Sequence, residues 1–173
     1  MQLSVRNIVI SGILAAITII MGYTGIGFIP VPTPAQNATI MHVPTILAGV
    51  LEGPTAGLIT GAIFGVFSFL RPGAAMFTDP LVAVVPRIFI GLAAFLVFYG
   101  LKRFNLVVAA AAAGLAGSIT NTVLVMTIAV YQGWLPAGGA VSVGLLHGPP
   151  EAILAAILTA VLVTGIRRVR SVE

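Results

Sequence analysis

The chain has 173 residues, of which 59% are hydrophobic and 7% charged, with a mean hydropathy of +1.16 and a net charge of +4. A soluble domain carries about 25% charged residues, so eight basic and four acidic side chains cannot coat one of this size. Disorder is excluded by the high hydrophobicity, and the absence of cysteine excludes disulfides and thiol chemistry.

The composition is that of an integral membrane protein. Six spans of about 20 residues would occupy about 120 and leave about 50 for loops. The first apolar run, 5–29, follows Arg6 and exceeds the roughly 7–15 residues of a signal-peptide core, so it reads as an uncleaved helix. Pro30, Pro32 and Pro34 then impose an extended, ordered loop through Asn37. A second helix is expected over about 42–52, short for a span at roughly 16 Å, and Glu52-Gly53-Pro54 breaks it. A third covers 54–70 and stops at Arg71-Pro72-Gly73. Asp79 followed by Pro80 is a strong start signal for a fourth helix, 80–101. Lys102 to Asn105 form a turn, a fifth helix runs 106–131, and Gln132 to Leu146 read as a Gly-rich loop. The sixth is placed at about 149–166.

The expected fold class is therefore an all-α integral membrane protein, one six-helix transmembrane bundle over residues 1–173. With the N-terminus inside, Arg6, Lys102, Arg103, Arg167, Arg168 and Arg170 all fall in the cytoplasm, as the positive-inside rule requires. Both termini are then cytoplasmic, and Tyr23, Phe28, Tyr131 and Trp134 lie near the outer interface. The basic residues are clustered at helix ends and form no face along which nucleic acid could lie.

Polar groups within the spans are the candidates for function. Arg87 lies eight residues beyond the Asp79 cap, about 12 Å down helix four, a depth at which a charge marks a polar cavity or an anionic ligand. The plainer reading is an ion pair with Glu151 or Asp79. Pro86 beside it should kink the helix and expose a carbonyl. Asn121, in the polar island from Ser118 to Thr122, lies about 15 Å from the end of helix five. The similar depths of Arg87 and Asn121 suggest one cavity; an interhelical hydrogen bond is the alternative for Asn121. His147 and Glu151 flank Pro149-Pro150 at the start of helix six, where a helix dipole would also favour the carboxylate. His42 opens helix two, and Arg71 ends helix three, from which it can snorkel. Gly53, Gly57, Gly61 and Gly65 make a small-residue stripe suited to close helix packing, and helix one repeats the pattern at Ser11/Ala15 and Gly12/Ala16. No nucleotide-binding, zinc-protease or serine-hydrolase motif is present. The two histidines and few carboxylates are too scattered to indicate a metal site.

Several segments together resemble a known family. They are Ile40 to Gly49, Leu51 to Pro54, Gly61 to Leu70, Asp79-Pro80 through Pro86-Arg87, Thr120-Asn121-Thr122, and His147 through Glu151. This set is similar to the substrate-binding S components of energy-coupling-factor (ECF) vitamin transporters, and the nearest flavour is the pantothenate-type and uncharacterised branch. The resemblance implies a non-catalytic membrane subunit with no cofactor that captures a vitamin or precursor from outside. It also implies docking, through Ser11/Ala15 or Gly12/Ala16, onto a transmembrane coupling subunit served by two ATPase subunits in a prokaryotic plasma membrane. Arg87, Asn121 and Glu151 are the expected polar contacts, followed by His147, His42, Asn37 and Arg71, with Phe69 and Phe77 as apolar walls. Arginine suits the pantothenate carboxylate, while hydroxymethylpyrimidine, folate, riboflavin and cobalamin remain open. The competing readings are a self-sufficient small-solute transporter, an intramembrane enzyme, which lacks a nucleophile near its best pair, His147 and Glu151, and an assembly subunit with no ligand, which leaves the similar depths of Arg87 and Asn121 to chance.

Overall fold

In the computed structural model, residues 5–30, 37–71 and 73–170 are described. They form six α-helices: α1 (Val5–Thr24), α2 (Val43–Glu52), α3 (Pro54–Leu70), α4 (Pro80–Leu101), α5 (Leu106–Tyr131) and α6 (Ala137–Arg170). Strands β1 (Phe28–Pro30) and β2 (Asn37–Thr39) pair antiparallel, with Phe28 opposite Thr39, and a 3-10 turn spans Ala75–Thr78. Residues 31–36 of the expected loop lie outside the described set.

Local chemistry accounts for the helix boundaries. Asp79 caps α4, accepting from the Leu81 amide at 2.8 Å, and Pro80 fills the first helical position. Asn105 caps α5 through the amides of Val107 and Val108. Gly53, at φ 98° and ψ −179°, makes the elbow between α2 and α3 in a conformation closed to residues with a side chain.

Four helices, α1, α4, α5 and α6, are long and apolar enough to cross a membrane, and α2 and α3 are shorter apolar helices. α2 is the core of the bundle. Its residues from Val43 to Val50 are all buried, and it touches each of the other five helices. A helix apolar on every side belongs in an interior, and at about 15 Å it need not span the bilayer to fill this one. Around it α3 packs on α4, α4 on α5 and α5 on α6. The α3 glycine stripe meets α4 backbone to backbone: Gly57 faces Gly91, Gly61 the Arg87 carbonyl, and Gly65 Val84.

Two helices, α1 and α6, differ in their bounds from those read from the sequence. α1 ends at Thr24 rather than near residue 29, because Gly25 turns the chain at φ 80° and Phe28 to Pro30 pair with β2. α6 starts at Ala137, not at 149, and runs to Arg170, so most of the expected Gly-rich loop is helix. Glycine breaks helices in water, but in lipid each backbone group needs an internal partner, which favours the helix. Pro149 and Pro150 sit inside α6 rather than at its start.

Candidate functional site

A cavity of about 190 Å3 opens at the end of the bundle that carries the hairpin, between α3, α4, α5, α6 and the segment following α3. Arg71, Phe77, Arg87, Asn121, His147 and Glu151 all line it.

Arg87 is its deepest charge, only 4% exposed. The guanidinium lies 4.6 Å from the centre of the Phe77 ring and 5.6 Å from that of Phe64, within cation–π range. Its Nη1 donates to the Val82 carbonyl at 2.8 Å, while Nε is buried without a hydrogen-bond partner. Among the described residues Arg87 forms no ion pair; the salt bridge seen, Arg6 to Glu52 at 3.3 Å, lies at the other end of the bundle. The ion pair weighed from the sequence is therefore absent from this geometry. On α5, Asn121 is buried with its Oδ1 unpartnered, one turn from Val125 and beside Thr122, which both line the cavity.

Glu151 and His147 are one turn apart on α6 and both are buried. Glu151 Oε1 accepts from the backbone amide of Thr39 at 2.6 Å, which ties the hairpin to α6. At the mouth, Arg71 is exposed and stacks 4.3 Å from the centre of the Tyr23 ring. The cavity thus offers a cation with an unpartnered donor, an amide oxygen, an anchored carboxylate and aromatic walls. That set can bind and orient a small polar anion. Among the described residues no group of three metal-ligating side chains occurs.

A family model described as the ECF transporter substrate-specific component matches residues 6–163. The chain belongs to that family. It is also similar to the pantothenic acid transporter PanT of Lactococcus lactis subsp. cremoris (strain MG1363), with 27% identity over 167 residues, covering 81% of this chain and 82% of that protein.

The remaining candidates of this S component lie elsewhere. Phe69 is 37% exposed on the outer face of α3 and does not line the cavity. Ser68, one residue earlier and so about 100° around the helix, does. His42 precedes α2, fully buried with both ring nitrogens unpartnered, and is not among the lining residues. Asn37 begins β2, and its side chain lies outside the described set. On α1, Ser11 and Ala15 turn into the bundle with Thr18 and Gly22, whereas Gly12 and Ala16 face outward. The two small-residue pairs therefore do not share a face, and a partner helix can reach only the second.

Sequence reasoning missed Thr39, Phe64, Phe67, Met76 and Val143 in the cavity wall. Phe64 continues the glycine stripe of α3 at helical spacing, and Val143 lies one turn before His147, so register alone could have found these two. Thr39 and Met76 arrive through long-range packing that leaves no local signal.

Proposed function

We propose that this protein is the substrate-capture subunit of an ECF-type importer, binding pantothenate from the extracellular side with high affinity. A coupling subunit and two ATPase subunits would then drive its release into the cell. Both termini lie in the cytoplasm of a prokaryotic cell, and the hairpin end faces outward. The carrying observation is Arg87, a buried arginine in a small cavity with its Nε unpartnered. A buried cation demands an anionic partner, and a guanidinium suits a carboxylate. At about 190 Å3, the cavity is below the roughly 300–1,000 Å3 of drug-sized sites. This favours a small carboxylated precursor over riboflavin, folate or cobalamin, and the charge disfavours neutral hydroxymethylpyrimidine. The bacterial relative named for pantothenic acid supports the same choice.

In this reading Arg87 holds the carboxylate, and Asn121, His147 and Glu151 meet the hydroxyl and amide groups. Phe64 and Phe77 exclude water, and Arg71 draws the anion to the mouth. No chemistry occurs in this subunit; ATP hydrolysis belongs to the partners. The outward face of α1 at Gly12 and Ala16 is the docking surface for the coupling subunit.

Mass spectrometry of small molecules released from the denatured, detergent-purified protein tests the substrate. A stoichiometric mass equal to pantothenate is the expected result, and a different stoichiometric vitamin would replace it. Liposomes containing this chain alone should bind pantothenate without concentrating it. Uphill uptake there would establish a self-sufficient transporter instead.

A further inference from the structure

Pro86 lies inside α4. Having no N–H, it leaves the carbonyl four residues earlier, that of Val82, without its usual intrahelical donor. That oxygen is the one to which Arg87 Nη1 donates, at 2.8 Å. A helical side chain leans toward the N-terminus, so Arg87 reaches back over the gap made by the residue before it. Val82 and Pro86 are buried and Arg87 is 4% exposed, so water has little access to the freed carbonyl. Nε, on the opposite edge of the guanidinium, stays buried and unpartnered, and Nη2 shares that edge.

We propose that Pro86 is a positioning residue for the anion subsite. By freeing the Val82 carbonyl it anchors Nη1 there, and so presents the Nε–Nη2 edge of Arg87 to a planar oxyanion. The inference rests on the reading that Arg87 receives the substrate's anionic group. In Pro86→Ala the restored amide competes for the Val82 carbonyl, and Arg87 loses its anchor although no atom facing the substrate has changed. Alanine favours the helix, so the variant is expected to fold.

The first test needs no substrate. In protein with 15N-labelled arginine, the Arg87 guanidinium is assigned by its disappearance in Arg87→Lys. Rotation about its Nε–Cζ bond is expected to be slow in the wild type and faster in Pro86→Ala. Equal rates in the two proteins overturn the proposal. The second test compares pantothenate with pantothenol, which carries an alcohol in place of the carboxylate. Pro86→Ala should weaken pantothenate binding about tenfold, the scale of one hydrogen bond to a charged group, and leave pantothenol unaffected. In an Arg87→Ala background the same change should have no further effect. Equal losses for both ligands would mean that Pro86 acts on general packing, and the proposal falls. A wild type that binds neither ligand refutes pantothenate as the substrate, and the rotation rates still decide the role of Pro86.

Discussion

Glu151 holds Thr39 by its backbone: the carboxylate, more than a hundred residues on in sequence, accepts the β2 amide at 2.6 Å. Thr39 pairs with Phe28 across the hairpin, and both residues line the cavity with Glu151. The hydrogen bond therefore joins the cavity's cover to its wall.

A bond to a charged acceptor contributes about 1.5–3 kcal/mol. Glu151→Ala should consequently raise amide exchange in the peptide covering 37–41 by about ten- to a hundredfold. It should also speed ligand dissociation. Glu151→Gln keeps an acceptor oxygen and should fall between wild type and alanine. Hydrogen-exchange mass spectrometry reads this directly, and unchanged exchange in Glu151→Ala would show that the hairpin is held by other contacts.

The helices whose ends carry side-chain signals are legible in the sequence. Pro54, Asp79-Pro80 and Asn105 start α3, α4 and α5 at the residues expected. α6 begins earlier than the sequence suggests because Gly138, Gly139 and Gly144 look like a loop under aqueous rules, and Pro149-Pro150 like a helix start. In the cavity, Arg87, Asn121, His147 and Glu151 stood out as polar groups within apolar helices. The depths of Arg87 and Asn121 follow from the ends of their helices because helical rise is regular, whereas His147 and Glu151 lie mid-helix in α6 rather than at its start. Which aromatic faces them depends on helix rotation, which an apolar helix does not encode; hence the sequence points to Phe69 where Phe64 lines the cavity. Backbone partners such as the Thr39 amide and the Val82 carbonyl have no residue-type signature at all.

The glycines of α4 separate two kinds of substitution. A Cβ on Gly91 would lie 2.5 Å from the Gly57 Cα, whereas a Cβ on Gly100 meets nothing within 4 Å. Gly91→Ala must push α3 from α4 and should cost about 1–3 kcal/mol. Gly100→Ala restores helix propensity and should gain up to about 1 kcal/mol. Thermal unfolding in detergent should move in opposite directions for the two variants. A stable Gly91→Ala would mean that the α3–α4 contact yields more readily than its backbone spacing implies.

Asp79 gives a pH dependence at the mouth of the bundle. Besides the Leu81 amide, its carboxylate accepts from Gln132 Nε2 at 3.0 Å and Trp134 Nε1 at 3.4 Å. Desolvation tends to raise the carboxyl, but hydrogen bonds from Leu81, Trp134, Gln132 and Val82 outweigh it and hold the group below its ordinary value. A depressed folded-state value means that the stabilisation is complete above the ordinary carboxylate range and is lost as pH falls through the folded value. The difference in Tm between wild type and Asp79→Ala should be constant near neutrality and shrink in acid. A difference that persists to the lowest pH would assign the effect to packing. Asp79→Asn keeps the capping oxygen and should remove most of the pH dependence.

The two faces of α1 predict opposite outcomes for small-to-large changes one residue apart. Ser11 and Ala15 are 1% and 3% exposed, while nothing lies within 4 Å of a Cβ placed on Gly12. Ser11→Leu or Ala15→Leu should overpack the contact of α1 with α2 and α3, lowering Tm and the yield of monodisperse protein. Gly12→Leu or Ala16→Leu should leave Tm and ligand binding as in the wild type. In lipid, close helix association needs small residues at the contact, so these two substitutions should sharply reduce co-purification with the coupling subunit. Retained co-purification in both outward variants would move the docking surface off this face of α1. The neighbouring apolar side chains Ile8, Val9 and Ile13, each more than half exposed, would then be left to lipid alone.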